Sequence, residues 1–190
     1  VAWVPMNESW GVPNLASDRS QTEHLLALYH LTRSLDPTRP VVSNDGWEHA
    51  ITDLCNIHDY RDGEALAKSY ATLESAIAAE PANRPLYVSG HGYRGEPILI
   101  TEFGGIAFSG DAGGEAGAWG YSTVADAEEF LARYESLIDA LLRSEPVQGF
   151  CYTQLTDVEQ EVNGLLTYDR RPKADLTRIR EITTCPKPFD

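Results

Sequence analysis

Short apolar runs alternate along the 190-residue chain with longer segments in which apolar residues recur every three or four positions. The short runs predict β-strands at 2–8, 40–44, 53–60, 97–103 and 147–155. The periodic segments predict α-helices at 18–39, 64–79, 122–145 and 173–182. Because nearly continuous apolar strands alternate with amphipathic helices, the pattern favours parallel βαβ units with both faces of the sheet covered.

Two of the predicted helices carry the clearest signals. In 18–39, the residues Leu25, Tyr29 and Leu35 fall on one stripe, which predicts a buried face. The segment 122–145 also has one apolar face and is predicted to begin at a Ser/Thr N-cap. The stretch 82–96 shows neither the apolar run of a strand nor the periodicity of a helix. It therefore predicts a surface loop before the fourth strand.

An α/β chain of this kind forms either an open doubly wound sheet or a closed (β/α)8 barrel. The stretch 110–120 is rich in glycine but lacks the spacing and the lysine of a phosphate-binding loop. Polar residues instead follow the ends of successive predicted strands: Asn7 and Glu8, Asn44 and Asp45, His58, Asp59 and Tyr60, Glu102, then Gln154 and Asp157. Barrel enzymes build their sites at this end of the strands, so the pattern favours the barrel.

The chain is short for a complete barrel, because eight units usually need about 250 residues. We therefore expect a partial (β/α)8 TIM barrel, approximately strands four to eight with their helices, in a single domain over 1–190. The first residues, VAWVPMNE, already have the pattern of a strand interior. This predicts that the natural N-terminus lies upstream.

Composition and charge narrow the range of partners. The formal net charge of −14 disfavours nucleic acid and anionic membrane surfaces, which both require a basic patch. No apolar run reaches the length of a membrane span, and no signal peptide is visible, which leaves the compartment open. Cys55 and Cys151 lie in apolar strand patterns without CxxC spacing, so buried thiols are expected rather than disulfides or a zinc site.

Two carboxylates occupy equivalent places in the pattern, since Glu8 ends the first predicted strand and Glu102 ends the fourth. The strand ends of a barrel converge on one mouth, where residues distant in sequence can face each other. Glycoside hydrolysis uses such a pair: one carboxyl protonates the leaving oxygen, and the other attacks the sugar or activates water. Neighbouring carboxylates also push their pKa values apart, which leaves one protonated and one ionised. The alternative for Glu8, which follows Asn7, is a structural role as a cap of the next helix.

Five segments together resemble glycoside hydrolase family 2, which contains β-galactosidases, β-glucuronidases and β-mannosidases. They are WVPMNESWG (3–11), SNDGWEH (43–49), NIHDY (56–60), PILITEFGG (97–105) and GFCYTQLTDVEQEVNGLLTYDRRPK (149–173). The resemblance covers nearly the whole chain. It implies a retaining mechanism with Glu8 as acid/base and Glu102 as nucleophile. It also implies that the earlier barrel units and β-sandwich domains come from upstream.

The resemblance gives other residues supporting roles. Asn7 would hydrogen-bond a sugar hydroxyl beside the reacting carbon, with capping as the alternative. Tyr60 would hold Glu102 through its hydroxyl group, with simple packing as the alternative. His58 is equally a site residue or a buried core histidine.

Further residues are expected at the rim of the same site, namely Asp45, Trp47 and Gln154. Trp47 either stacks on a sugar face or packs within its loop, and Trp119 has the same two interpretations. No metal or other cofactor is implied, because carboxylate charge stabilises the oxocarbenium-like transition state of this reaction.

The end of the last predicted strand departs from the family pattern. Many relatives carry a Trp there as the floor of the sugar pocket, whereas this chain has Tyr152, Thr153 and Gln154. No Arg or Lys stands out at a strand end to bind a sugar carboxylate, which favours a neutral sugar such as galactose. We therefore predict an exo-β-glycosidase acting on terminal β-linked sugars, with a β-galactosidase-like specificity.

Two alternatives remain open at this point. One is a β-glucuronidase or β-mannosidase of the same family. The other is a non-catalytic carbohydrate-binding or scaffolding barrel, against which the intact carboxylate pair argues. The expected partners are a carbohydrate substrate and the remaining barrel units, or another copy of the chain, because a partial barrel leaves sheet edges that a closed barrel lacks.

Overall fold

The structure is a computed structural model that describes residues 1–108 and 118–186, so most of the glycine-rich stretch 110–120 lies outside the described residues. The chain divides into two compact units. The first unit comprises Val1–Asp59, Thr72–Thr101 and Glu145–Phe150. The second unit comprises Tyr60–Ala71, Glu102–Ser144 and Cys151–Asp190.

The secondary structure is mixed α/β. The strands of the described residues are β1 (Cys55–Asp59), β2 (Ile98–Phe103), β3 (Ile106–Ala107), β4 (Ser122–Thr123) and β5 (Val147–Phe150). The helices are α1 (Arg19–Leu35), α2 (Gly63–Ser69), α3 (Leu73–Ile77), α4 (Ala127–Leu142) and α5 (Leu176–Thr183), with a 3-10 turn at Pro81–Asn83.

Two small sheets organise these strands. One has the order β1–β2–β5, with β2 parallel to β5, and the other pairs β3 with β4 in parallel. Parallel pairing and intervening helices confirm the predicted α/β class. Among the described residues the sheets are open, as expected for part of a TIM barrel.

The predictions of continuous strands at 2–8 and 40–44 were wrong. Isolated parallel bridges join these segments instead, at Trp3 with Val41 and at Asn7 with Asp45. Pro5 lies between the two bridges, and proline has no backbone N–H to donate to a ladder. The pairing direction is therefore the expected one, while the ladder is interrupted.

Two helix predictions also need correction. The predicted helix 64–79 is two helices, α2 and α3. Thr72 forms a capping box with Ser75, and this box begins a new helix after α2 has ended. The predicted Ser/Thr cap of the helix in 122–145 is wrong: residues 122–123 form β4, and Asp126 caps α4 by accepting from the Glu129 N–H.

Burial agrees with most of the apolar pattern. Leu25 and Tyr29 of α1 are buried, and Leu25 packs in a small core of the first unit. Leu35 is 79% exposed on the last turn of α1, which contradicts the predicted stripe. Cys55 is buried in β1 as predicted, but Cys151 is exposed because β5 ends one residue earlier, at Phe150. No helix among the described residues has the length and apolar character needed to cross a membrane.

Candidate active site

Glu8 lies at a sharp bend of the backbone in the first unit. Glu8 and Ser9 have φ angles of 51° and 59°, a left-handed conformation that costs about 1–2 kcal/mol per residue without glycine. Two hydrogen bonds hold this bend: the Glu8 N–H donates to the Asp45 carbonyl at 2.9 Å, and the Ser9 N–H donates to Asn44 Oδ1 at 2.9 Å. Such strain is a common feature of functional sites.

His58, at the end of β1, lies between two carboxylates. Its Nδ1 is 2.8 Å from Glu8 Oε1, and its Nε2 is 3.4 Å from Asp45 Oδ1. The hydrogen bond from His58 outweighs the opposing effect of burial and lowers the pKa of Glu8 from its ordinary value. Burial alone would raise the pKa of Asp45, but His58 and a 2.8 Å hydrogen bond from Thr101 lower it. Both carboxyls are thus favoured in their ionised forms.

A buried polar network lies behind the bend, and sequence reasoning missed it. Ser9 donates to Glu48 Oε2 at 2.5 Å, and Arg84 donates to the same oxygen at 2.8 Å. Glu48 is 3% exposed, so these two donors take the place of water around its buried side chain. The sequence offers no spacing signal for this contact, because Arg84 comes from the predicted irregular loop.

Trp47 packs against His58 and Arg84. Its ring is buried and meets His58 edge to face, with 5.9 Å between ring centroids, while the Arg84 guanidinium lies 6.0 Å from the Trp47 centroid. Gly46 has a φ of 98°, and a Cβ there would lie 2.9 Å from the His58 ring. Gly46 therefore lets His58 approach the loop. Asn7 is exposed, and its backbone pairs with Asp45 beside Glu8.

Glu102 belongs to the second unit, where it stands near the end of β2. The Tyr60 hydroxyl donates to Glu102 Oε2 at 2.5 Å. Burial, followed by this carboxylate, raises the pKa of Tyr60, so the phenol stays protonated and acts as a donor. The contact predicted between these two side chains is present.

A pair of glycines after Glu102 admits aromatic rings. A Cβ on Gly104, whose φ is 90°, would overlap the Tyr152 ring. A Cβ on Gly105 would overlap the Tyr121 ring and lie 3.1 Å from Tyr60 Cδ1. Tyr121 was missed by sequence reasoning; the double glycine was the available signal that a side chain covers this backbone.

Gln154 takes part in a polar chain of the second unit. Its Nε2 donates to Asn163 Oδ1 at 2.8 Å, and Asn163 Nδ2 donates to Glu161 Oε1 at 3.0 Å. Asn163 is fully buried, whereas Gln154 and Glu161 are half-buried. The backbone joins this chain to the loop before β4 through a parallel bridge between Trp119 and Glu161.

Parallel strands with helical connections, and polar residues beside the strand ends, define a partial TIM barrel. The family described as "Glycosyl hydrolases family 2, TIM barrel domain" matches residues 1–185. The chain belongs to this glycoside hydrolase family. None of the curated proteins compared with the chain matches it.

Solved structures of larger enzymes share the fold. A β-glucuronidase from Faecalibacterium prausnitzii is 20% identical with a TM-score of 0.61, over 98% of this chain and 32% of its own. A β-D-glucuronidase from Dictyoglomus thermophilum is 17% identical with a TM-score of 0.64, and the match covers 98% of this chain and 32% of that enzyme. A β-galacturonidase from Eisenbergiella tayi bound to galacturonate is 18% identical with a TM-score of 0.59, over 90% and 32%. The chain thus spans about a third of their length.

Proposed function

We propose that the chain carries both reacting carboxyls of a retaining exo-β-glycosidase, with Glu102 as nucleophile and Glu8 as acid/base. The observation that carries this assignment is the short hydrogen bond from the Tyr60 hydroxyl to Glu102. A donor at this distance stabilises the ionised carboxylate, which is the form that attacks. It also fixes the direction in which the remaining oxygen points.

The proposed reaction has two displacements at the anomeric carbon. First, Glu102 forms a bond to this carbon while the glycosidic bond breaks and Glu8 gives its proton to the leaving oxygen. Second, Glu8 takes a proton from water, the water oxygen bonds to the anomeric carbon, and the bond to Glu102 breaks. This mechanism needs the two carboxyls roughly 5–5.5 Å apart.

His58 gives the acid/base residue its pH range in this proposal. Lowering the pKa of Glu8 helps the second step, in which the carboxylate acts as a base. It opposes the first step, in which Glu8 must carry a proton. We therefore expect the activity to be greatest on the acidic side of neutrality.

The test uses Glu102→Ala and Glu8→Ala variants of the intact protein with an aryl β-glycoside and sodium azide. Glu102→Ala is expected to abolish turnover, and azide is expected to restore it with a glycosyl azide of inverted configuration. Glu8→Ala is expected to give the azide of retained configuration instead. Absence of rescue in Glu102→Ala together with normal activity in Glu8→Ala would overturn the assignment.

For the sugar, we propose a neutral terminal β-linked hexose, with galactose first. A uronic acid is the second candidate, because the similar solved structures are named β-glucuronidase and β-galacturonidase. The choice is decided by comparing kcat/KM for p-nitrophenyl β-D-galactopyranoside, β-D-mannopyranoside and β-D-glucuronide. Preference for the glucuronide by more than about tenfold would reverse the order of the two candidates.

We also propose that residues 1–190 form a single domain that works together with further barrel units, from the same protein or from another copy of the chain. The support is that this chain spans about a third of the similar solved structures. The two units named above would then be parts of one catalytic domain. Full glycosidase activity from a monodisperse monomer of these residues alone would contradict the proposal, and so would a non-catalytic intact protein that binds sugar.

A further inference from the structure

Two large aromatic side chains of the second unit are exposed beside the candidate nucleophile. Trp119 is 47% exposed and Tyr121 is 50% exposed. The Tyr121 ring stacks on Tyr60 with 3.5 Å between centroids and 5° between planes. Trp119 meets Tyr121 edge to face at 5.9 Å. A continuous series of aromatic contacts therefore leads from Tyr60, which donates to Glu102, to the exposed indole of Trp119.

Backbone hydrogen bonds hold the positions that carry both rings. The Tyr121 N–H donates to the Gly105 carbonyl at 2.8 Å. The Trp119 N–H donates to the Gln160 carbonyl at 2.9 Å, and the Val162 N–H donates to the Trp119 carbonyl at 3.0 Å. Because these bonds fix the backbone at both positions, little backbone entropy is lost when a ligand binds to the rings.

The edge of this surface is polar and negatively charged. Glu161 pairs with Trp119 in the parallel bridge, so their side chains are neighbours on one side of the ladder. The Asn163 side chain donates a hydrogen bond to the Glu161 carboxylate, and the Gln154 side chain donates one to Asn163. Glu161 is thereby anchored through a buried residue.

Two basic residues that lie near these elements in the sequence bond to other groups. Arg61, which follows Tyr60, donates to Ser69 at 3.0 Å. Lys173 lies fully buried against Asp157 at 2.8 Å. The charged residue that adjoins Trp119 in the parallel bridge is Glu161.

We propose that Trp119 and Tyr121 form a pyranose-stacking platform and that Glu161 makes this platform select neutral sugars over uronic acids. The apolar C–H face of a pyranose ring suits the face of an aromatic ring. A carboxylate accepts charge-assisted hydrogen bonds from sugar hydroxyls, and it repels the carboxylate of a uronic acid. This inference rests on the proposed glycosidase function, since it defines the substrate class of the same site.

The test measures binding directly, by saturation-transfer NMR and isothermal titration of the intact protein. The probes are methyl β-D-thiogalactopyranoside, which resists hydrolysis, and D-glucuronic acid. The unaltered protein is expected to bind the thiogalactoside more tightly. Trp119→Ala is expected to weaken that binding by about 3–10-fold, the range for loss of one aromatic partner. Trp119→Phe is the matched control and is expected to retain most of the affinity.

Glu161→Gln tests the selectivity separately, because glutamine keeps an oxygen that can accept from Asn163 while removing the charge. Binding of D-glucuronic acid is expected to tighten at least about threefold, while thiogalactoside binding weakens slightly because an amide oxygen accepts weaker hydrogen bonds than a carboxylate. Unchanged glucuronic acid binding would overturn the role of Glu161. Unchanged thiogalactoside binding in Trp119→Ala, or tighter binding of glucuronic acid than of thiogalactoside by the unaltered protein, would overturn the platform.

The two proposals fail in distinguishable ways. Loss of hydrolysis in Glu102→Ala with azide rescue, combined with no effect of Trp119→Ala on KM or binding, would leave the glycosidase function and remove the platform. Sugar binding that depends on Trp119 in a protein with no glycosidase activity would leave the platform and remove the glycosidase function.

Discussion

His58 Nδ1 lies 2.8 Å from Glu8 Oε1, although the two residues are 50 positions apart in the chain. This contact is the largest influence on the pKa of Glu8, which it lowers. The proton affinity of the candidate acid/base residue therefore depends on the residue at the end of β1. Asp45 lies on the other side of the imidazole, with its Oδ1 3.4 Å from His58 Nε2.

Replacing His58 with Asn is expected to move the alkaline limb of the pH–rate profile to higher pH. In a bell-shaped profile of kcat/KM, this limb reports the residue that must be protonated, which is Glu8 in the proposed mechanism. Removing the group that lowers the pKa of Glu8 raises that pKa, so Glu8 stays protonated at higher pH. The measurement is kcat/KM for an aryl β-glycoside between pH 4 and about 9. An alkaline limb that stays in place or moves to lower pH would refute the coupling.

Replacing Tyr60 with Phe removes the hydroxyl that donates to Glu102. Hydrogen bonds to charged groups contribute about 1.5–3 kcal/mol, so kcat/KM is expected to fall by roughly 10–150-fold. The matched control is Tyr29→Phe, because Tyr29 also donates to a carboxylate, Asp53, at 2.8 Å, but from α1. Equal losses in the two variants would indicate a general effect on folding rather than on the nucleophile.

The Gly104→Ala substitution is expected to destabilise the protein by about 1–3 kcal/mol, as is typical of a side chain forced into an unfavourable φ. Gly104 has a φ of 90°, and its added Cβ would overlap the Tyr152 ring. Gly92→Ala is the control, since a Cβ there has no heavy atom within 4 Å. The midpoint of urea unfolding measures both changes. A similar midpoint for the two variants would show that the ring moves aside easily.

Alkylation with iodoacetamide at pH 8 is expected to separate the cysteines. Cys55 is buried, and burial raises the pKa of its thiol to about 12, so it should remain unmodified in the folded protein. Cys151 and Cys185 are exposed and are expected to react. Mass spectrometry of peptides from folded and urea-unfolded protein gives the result. Rapid modification of Cys55 in the folded state would contradict its burial.

The elements that position Glu102 were accessible from sequence because local signals agree there. The apolar run of β2, the glycines that follow it and Tyr60 just after β1 each point to a strand end that carries a candidate catalytic carboxylate. The Tyr60–Glu102 contact followed from the family resemblance. Its distance and the ring that covers Tyr60 required coordinates, because Tyr121 has no fixed spacing from either residue.

The environment of Glu8 was less predictable, for physical reasons that lie outside a single segment. Pro5 interrupts the ladder that a continuous strand would form, and the left-handed backbone of Ser9 depends on Asn44. Arg84 reaches Glu48 from an irregular segment whose path has no periodicity to reveal it. The break between α2 and α3 depends on a capping box, which outweighs a continuous amphipathic pattern.

The near-parallel rings of Tyr60 and Tyr121 also give the protein an intrinsic optical probe. Their electronic transitions couple at 3.5 Å, and one of the two phenols is bonded to the candidate nucleophile. Formation of a glycosyl ester on Glu102 would change that bond and hence the near-ultraviolet circular dichroism of the pair. If the proposed covalent intermediate forms, its lifetime is observable in stopped-flow experiments without attaching any label.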